Sequence, residues 1–364
     1  MWSDRRILDL FGIEHPIIQA PMAGAHLSDL VIAVSEAGGL GSLPCAMLDP
    51  EQVRTELGII RQRTSRPINV NFFCHVPPVG DPGREAAWRQ RLQAYYAELG
   101  VDTSIQQGPT REPFNDALCD VVAEFAPEVV SFHFGLPERR LLDRVKATGA
   151  KIIASATSVA EARWLEDGGC DAVIAQGYEA GGHRGMFLSS DLASQAGTFA
   201  LVPQVVDAVK IPVIAAGGIA DARGIVAAFA LGASAVQVGT AYLFTPEARI
   251  SQVYREALKQ AKDDSTVLTN VFTGRPARGI VNRFIREVGP LSELSPAFPL
   301  ATGAVMPLRA KAEAAGSGDF SPLWSGQAAS LAREAPAGEL TRTLAAQALD
   351  RMRSIQERSA PAAS

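Results

Sequence analysis

The sequence predicts an α/β fold, a closed (β/α)8 TIM barrel, and three observations carry that prediction. Short apolar runs recur eight times along the chain. Amphipathic stretches separate most of them, and strand–helix alternation builds a parallel sheet. The runs also end in small or polar residues, as the catalytic rim of a barrel requires. The open doubly wound sheet is the competing architecture. Its fingerprints are missing: no GxGxxG follows the first run, and no GxxxxGK[ST] occurs anywhere.

Taken in order, Pro16–Met22 reads as the first strand and Leu27–Ala37 as its helix. Leu40–Pro44 is followed by helical Glu51–Arg63, and Ile68–Phe73 by a long proline-bearing excursion, residues 76–126, with a helix at Arg84–Leu99. Glu128–Gly135 leads to helix Glu138–Thr148, and Lys151–Thr157 to Val159–Asp167. Ala172–Gly177 runs into a glycine-rich loop. Pro212–Gly218 and Ala235–Thr240 complete the eight, with helices at Ala220–Ala230 and Glu247–Ala261. The expected division is a barrel from residues 1–75 and 127–275, and a substrate-side lobe or lid from 76–126 and 276–326. The second lobe segment is rich in Pro, Gly and Ser, with helical Met306–Ala315. Residues 327–364 supply a closing helix and a frayed tail.

Composition excludes several classes. The 364 residues carry 34 basic and 39 acidic side chains, a net charge of −5 with no basic block, so neither nucleic acid nor an anionic membrane surface is an expected partner. Gly224 to Pro246 has no charge and is long enough to span a bilayer. Gly232, Ser234, Gln237 and Gly239-Thr240 interrupt it, so it reads as a helix end, a turn and a core strand. The N-terminus MWSDRRILDLFG has no apolar core of a secretory signal. The four cysteines form no CxxC pair and are expected to be free, buried thiols in a cytoplasmic protein. The five histidines show no metal-binding spacing.

Residues 172–186, AVIAQGYEAGGHRGM, are the most informative stretch. His183 lies on a loop just past a strand's carboxyl end, where α/β folds place their chemistry. Gly181, Gly182 and Gly185 allow close backbone approach to a ligand. Other polar groups at strand ends are Gln19, Asn69, Asn71, His133, Ser155, Thr157, Gln176 and Gln237. Gly217-Gly218 and Gly239-Thr240 follow strands seven and eight, where barrels bind phosphate; Asp221 alternatively only caps the next helix. Gln176 or Asn71 can offer donor and acceptor to a flat heterocycle. Phosphate plus heterocycle points to a nucleotide-like cofactor, with FMN the economical choice.

The assembled motifs resemble those of the bacterial FMN-dependent nitronate monooxygenases, formerly called 2-nitropropane dioxygenases. The carriers are PIIQAPMAG (16–24), AGGLGS (37–42), NVNFFCH (69–75), VSFHFG (130–135), AQGYEAGGHRG (175–185), IPVIAAGGIADARG (211–224), VQVGTAYL (236–243), ARGIVNRF (277–284) and WSGQ (324–327). The resemblance runs from about Ile13 to Gln327 and implies a detoxifying flavoprotein oxidoreductase. Its substrates would be alkyl nitronates, such as propionate 3-nitronate, and O2; its products a carbonyl compound plus nitrite or nitrate, through one-electron flavin reduction. Carried over by motif, Pro21, Met22, Asn71, Gln176, Gly181, Gly218, Gln237, Val238, Gly239 and Thr240 would bind FMN. His183 matches the catalytic histidine, and His133 is a second polar group at the substrate face. The chain departs from its best-matched relatives at Phe298-Pro299, at Arg309 or Lys311, and in segment 101–115, which lacks a tyrosine; Tyr254 fits.

The nearest alternative is an NAD(P)H-dependent flavin reductase of the enoyl-thioester or quinone type, since the AGGHxG loop occurs there too. A non-catalytic flavin-binding protein is a less favoured reading. An inosine-monophosphate-dehydrogenase-like barrel lacks its catalytic cysteine loop here. Oligomeric state is not legible.

Overall fold

The computed structural model describes residues 2–102 and 111–359. Six strands appear first in chain order: β1 (Ile17–Gln19), β2 (Gly41–Pro44), β3 (Ile68–Phe73), β4 (Val129–His133), β5 (Lys151–Ala156) and β6 (Ala172–Gln176). A two-residue strand β7 (Gly182–His183) precedes β8 (Val213–Ala216) and β9 (Ala235–Val238). The eight long members pair in parallel in the order β1-β9-β8-β6-β5-β4-β3-β2. A parallel bridge from Ile18 to Leu40 joins the two ends, with Gln19 N–H donating to the Leu40 carbonyl at 2.9 Å. The sheet is therefore wrapped into the expected (β/α)8 barrel. Nearly every strand residue is buried on both faces, inside by barrel side chains and outside by helices, which is why these strands read as continuous apolar runs.

The helices form where their caps permit. Asp49 and Gln52 make a reciprocal capping box at the start of Pro50–Arg63. Asp221 accepts from Arg223 N–H at 2.8 Å and caps Ala222–Ala230, the bland role considered for it. Two barrel helices were not anticipated. Asp116–Phe125 lies inside the excursion after β3, and Thr198–Ala208 carries an internal Pro203, a residue that argues against a helix interior. The helix after β9 is delayed. Residues 245–336 intervene before Ala337–Ser359 packs against Ser28–Glu36 and Ala222–Ala230. Tyr242 and Thr341 join their hydroxyls at 2.8 Å beneath it.

A second sheet, absent from the sequence-based expectation, is antiparallel: β10 (Thr266–Thr269) pairs with β11 (Ala277–Ile280), and β11 with β7. Beside it lies a separate apolar core. Trp88, Leu92, Tyr95 and Tyr96 of helix Pro82–Leu99 pack with Val305 and Leu308 of helix Ala301–Ala314 and with Phe272, Phe284 and Phe320. Tyr96 Oη donates to the Ala304 carbonyl at 2.6 Å.

All four cysteines are free; Cys45, Cys119 and Cys170 are buried and Cys74 is half-buried. Among the described residues no helix is long and apolar enough to cross a membrane. Gly224–Pro246 contains a helix end, a turn and β9, as expected.

Candidate active site

His183 stands at the carboxyl end of the barrel, but β7 belongs to the small sheet: His183 pairs with Ala277 and Gly182 with Arg278. Its carbonyl is gripped from the barrel side. Gln176 Nε2 at the end of β6 donates to it at 3.0 Å, and His133 Nε2 at the end of β4 at 3.3 Å. Gln176 also accepts from Gly185 N–H at 2.7 Å, so both ends of its amide hold the histidine loop. Below it, fully buried Arg184 donates to the carbonyls of Gln176 and Gly177 at 2.8 and 2.6 Å and to Gln195. Glu161, also buried, accepts from the backbone N–H of Phe187 and Leu188 at 2.6 and 3.1 Å, tying the loop's exit to the end of β5. The histidine's backbone is thus over-determined.

The imidazole has a different set of neighbours. Nε2 lies 2.9 Å from Thr273 Oγ1, while Nδ1 has no protein partner among the described residues. Phe298, Trp324, Phe134 and Phe73 surround the ring at centroid separations of 5.3, 5.6, 6.0 and 6.2 Å. Burial, then the charge of Arg111, then His133, Arg275 and His75 hold His183 well below the usual imidazole range. It is a neutral ring in an apolar, cation-flanked setting.

His133 is committed at both nitrogens. With Nε2–H donating to the His183 carbonyl, Nδ1 is left to accept from Ser155 Oγ at 3.1 Å. Burial and Arg275 push its pKa down to about 3, so this tautomer persists through the neutral range. Both nitrogens of His133 are thereby engaged, one of them on the His183 carbonyl. Arg275 stacks its guanidinium on Phe134, 3.9 Å from the ring centre, and donates to the Met186 carbonyl. Phe134 itself sits at φ +71°, a left-handed backbone that a bulky residue adopts only when its surroundings enforce it.

The remaining candidate residues line the barrel mouth. Asn71 Nδ2 donates to Ser131 Oγ at 2.9 Å; Asn69 Nδ2 bridges Ser42 and Ser131 at 3.0 and 2.9 Å. Two buried amide oxygens, Asn69 Oδ1 and Gln237 Oε1, find no donor. Unsatisfied acceptors beneath a strand-end rim fit the N–H edge of a flat heterocycle. Pro21 and Met22 pass alongside: Met22 N–H donates to His26 Nε2 at 3.2 Å, and a Cβ at Gly239 would lie 3.9 Å from Met22 Sδ. Gly217 and Gly218 have φ of +112° and +70°, aiming the backbone over the rim beside Glu179. Val238 is buried; Thr240 Oγ1 accepts from Gly326 N–H at 2.9 Å. Gly181 is packed so closely on Ser325–Gly326 that an added Cβ would sit 2.5 Å from Gly326 N. The barrel mouth therefore brings the FMN candidates together, and segment 324–327 straps the glycine loop to Thr240.

Thr273, Arg275 and Arg111 are site residues that sequence reasoning missed, and no local signal marks them. The departures flagged in the sequence divide. Phe298 lines the site, whereas Arg309 and Lys311 are exposed on helix Ala301–Ala314, Arg309 paired with Glu313 at 2.8 Å. Tyr254 donates to the Trp324 carbonyl, anchoring the strap. Of segment 101–115, residues 103–110 lie outside those described.

A family model described as nitronate monooxygenase matches residues 4–347. A nitronate monooxygenase of Pseudomonas aeruginosa is 44% identical over 342 residues, covering 93% of this chain and 97% of that protein. Among solved structures, a nitroalkane oxidase from Streptomyces ansochromogenes superposes with a TM-score of 0.88 at 39% identity, covering 96% of this chain and 99% of the other. FabK from Thermotoga maritima superposes at 0.75 with 31% identity, covering 98% and 100%. With a family match spanning nearly the whole chain, a close curated relative and the same barrel, this chain belongs to the nitronate monooxygenase family of oxidoreductase enzymes.

Proposed function

We propose that the protein oxidises alkyl nitronates, propionate 3-nitronate among them, with FMN and O2, giving a carbonyl compound and nitrite or nitrate. The observation that carries this reading is a neutral histidine with one free ring nitrogen, walled by aromatic rings and flanked by two arginines that form no ion pair among the described residues. A nitronate is a planar anion with its charge on the nitro oxygens, and such a site lowers its free energy where water is scarce.

FMN would rest on the rim formed by Pro21-Met22, Asn71, Gln176, Gly181, Gly218 and Gln237–Thr240; when bound it supplies the one-electron chemistry and the reaction with O2. The chain's own groups place the substrate. Thr273 Oγ1–H donating to Nε2 puts the proton of neutral His183 on Nδ1, from which it donates to a nitronate oxygen. With Thr273 as acceptor, Nδ1 instead offers a lone pair to a nitroalkane C–H. His133 and Gln176 keep the ring in register through its carbonyl. The aromatic wall excludes water and strengthens each of these contacts.

The test is nitronate-dependent O2 uptake and nitrite release by the FMN-loaded protein, beside His183→Asn. The variant is expected to keep its flavin and lose at least about 100-fold in kcat/KM, the usual contribution of a positioned acid–base group. Near-normal turnover would remove His183 from the mechanism. Anaerobic flavin bleaching by NADH or NADPH, with no response to nitronate, would replace this reading with the reductase.

A further inference from the structure

Two buried charges beside the histidine loop have no opposite charge in contact. Arg184 and Glu161 are both buried, and among the described residues neither forms an ion pair. Every acceptor of Arg184 is a neutral oxygen: the carbonyls of Gln176 and Gly177 and the Gln195 amide. Every donor to Glu161 is neutral as well. The Thr157 N–H and hydroxyl reach Oε2 at 2.6 and 2.8 Å, and the N–H groups of Phe187 and Leu188 reach Oε1. These donors match the lone-pair sites of a carboxylate, leaving none for a cation. Burying a charge away from its counter-charge is costly unless its hydrogen bonds are complete.

The two charges are nevertheless connected. Gln195, half-buried after the short helical turn Leu192–Ser194, accepts from Arg184 Nε and Nη2 at 3.1 and 2.9 Å. Its Nε2 donates to Thr157 Oγ1 at 3.1 Å, and that hydroxyl donates to Glu161 at 2.8 Å. An arginine can only donate and an ionised carboxylate can only accept, so the orientations of the amide and the hydroxyl between them are forced. Every link points from cation to anion, and such a chain polarises itself cooperatively where water is scarce. The loop closes the chain into a circuit. Arg184 is one end and the N–H groups of Phe187 and Leu188 are the other, with only Gly185 and Met186 between. His183 immediately precedes Arg184, and its imidazole bonds to Thr273, not to the circuit. The circuit therefore reaches the histidine through the backbone.

We propose that Arg184, Gln195, Thr157 and Glu161 form one positioning unit for His183. The circuit holds the backbone on the exit side of the histidine, as Gln176 and His133 hold its carbonyl. The inference rests on the reading of His183 as the group that meets the substrate, and adds to it residues that act only through the loop. Breaking any one link frees the exit side, so the links share a single loss of turnover and their losses do not multiply.

The test uses Thr157→Val and Gln195→Leu, which keep both charges, together with Thr157→Ser and the Thr157→Val/Gln195→Leu double variant. Turnover of propionate 3-nitronate by the FMN-loaded protein is read beside hydrogen exchange at the backbone amides of Phe187 and Leu188. Each link-breaking single variant is expected to lose about tenfold or more in kcat, with KM and FMN affinity within about twofold, as for a reacting group slightly misplaced. The double variant loses no more than the worse single, and Thr157→Ser keeps most of the wild-type kcat. Gln195→Leu, which bonds to neither amide, is expected to speed exchange at both by about tenfold. Gln195 is half-buried, so Gln195→Leu carries the test should Thr157→Val not fold. Unchanged kcat in Gln195→Leu, losses that multiply in the double variant, or a rise in KM at constant kcat would each overturn the proposal. So would unchanged exchange at Phe187 and Leu188. The exchange measurement needs no turnover: faster exchange in Gln195→Leu of a protein that leaves nitronate untouched would uphold the circuit and sink the nitronate reading instead.

Discussion

At the scale of single residues, the site turns on one hydroxyl. Thr273 is 90 positions from His183, yet its Oγ1 is the only protein partner of the imidazole among the described residues. Thr273 Oγ1 is also 3.3 Å from the Arg275 carbonyl, to which it can donate. It can therefore give or take the proton at Nε2, and the choice decides whether Nδ1 is a donor or an acceptor. Thr273→Val keeps the shape and removes that choice. The expected result is a drop of about tenfold in kcat, the size of one hydrogen bond to a developing charge, with flavin content unchanged. A kcat within twofold of wild type would show that the tautomer is set elsewhere. His183 was legible because glycines flank it just past an apolar strand. Thr273 was not, since nothing in TNVFTGRP distinguishes a hydroxyl aimed at a ring from one that caps a turn.

At the scale of elements, the eight barrel strands were readable because each is buried on both faces and hence predominantly apolar, bounded by glycine, proline or polar residues. The small sheet defeated the same signals. β7 is two residues long, below any periodicity, and β11 contains Arg278, a charge that reads as exposed but is buried. Its guanidinium donates to the Tyr178 carbonyl at 3.0 Å and lies over that tyrosine's ring. Gly217-Gly218 after β8 and Gly239-Thr240 after β9 are both assigned to a phosphate by the sequence, but the backbone separates them. Gly218 has φ +70°, so Gly218→Val strains the chain as well as crowding the rim. Gly239 has φ −110°, which valine tolerates, and its nearest neighbour for a Cβ is Ala20 Cβ at 3.4 Å. Gly239→Val is expected to lose most of its FMN while keeping its melting temperature within a few degrees; Gly218→Val should lose both. Thermal melts of the apoproteins with flavin titration distinguish them, and full FMN occupancy in Gly239→Val would mean the phosphate lies elsewhere.

At the scale of the whole molecule, burial of neutral histidines shapes the response to acid. His26 is fully buried beneath the Pro21-Met22 turn, and burial lowers its pKa to about 4; His133 is lowered to about 3. Below the unfolded value of about 6.5 the unfolded chain takes up protons that the folded chain refuses. Their contribution is thus fully present above pH 6.5 and is lost as pH falls towards 4, by roughly 1.4 kcal/mol per pH unit for each ring. His26→Gln, which can still accept from Met22 N–H, is expected to reduce the slope of unfolding free energy between pH 6.5 and 4.5 by about one proton. An unchanged slope in urea melts across that range would mean that folded His26 protonates normally.

The two-residue strand that carries His183 has a consequence in time. The hydrogen-bond partner of its ring among the described residues, Thr273, its strand partner Ala277 and the Trp324 ring all follow Val238, the last residue of the barrel's last strand. A ribosome can deliver all eight barrel strands before it adds one of these residues. A nascent chain that stops short therefore has the groups that hold the His183 carbonyl, Gln176 and His133, but not the hydroxyl that meets its ring. Thr273, Ala277 and Trp324 all lie in the final third of the sequence, so the ring of His183 meets its hydroxyl only when that third has been made.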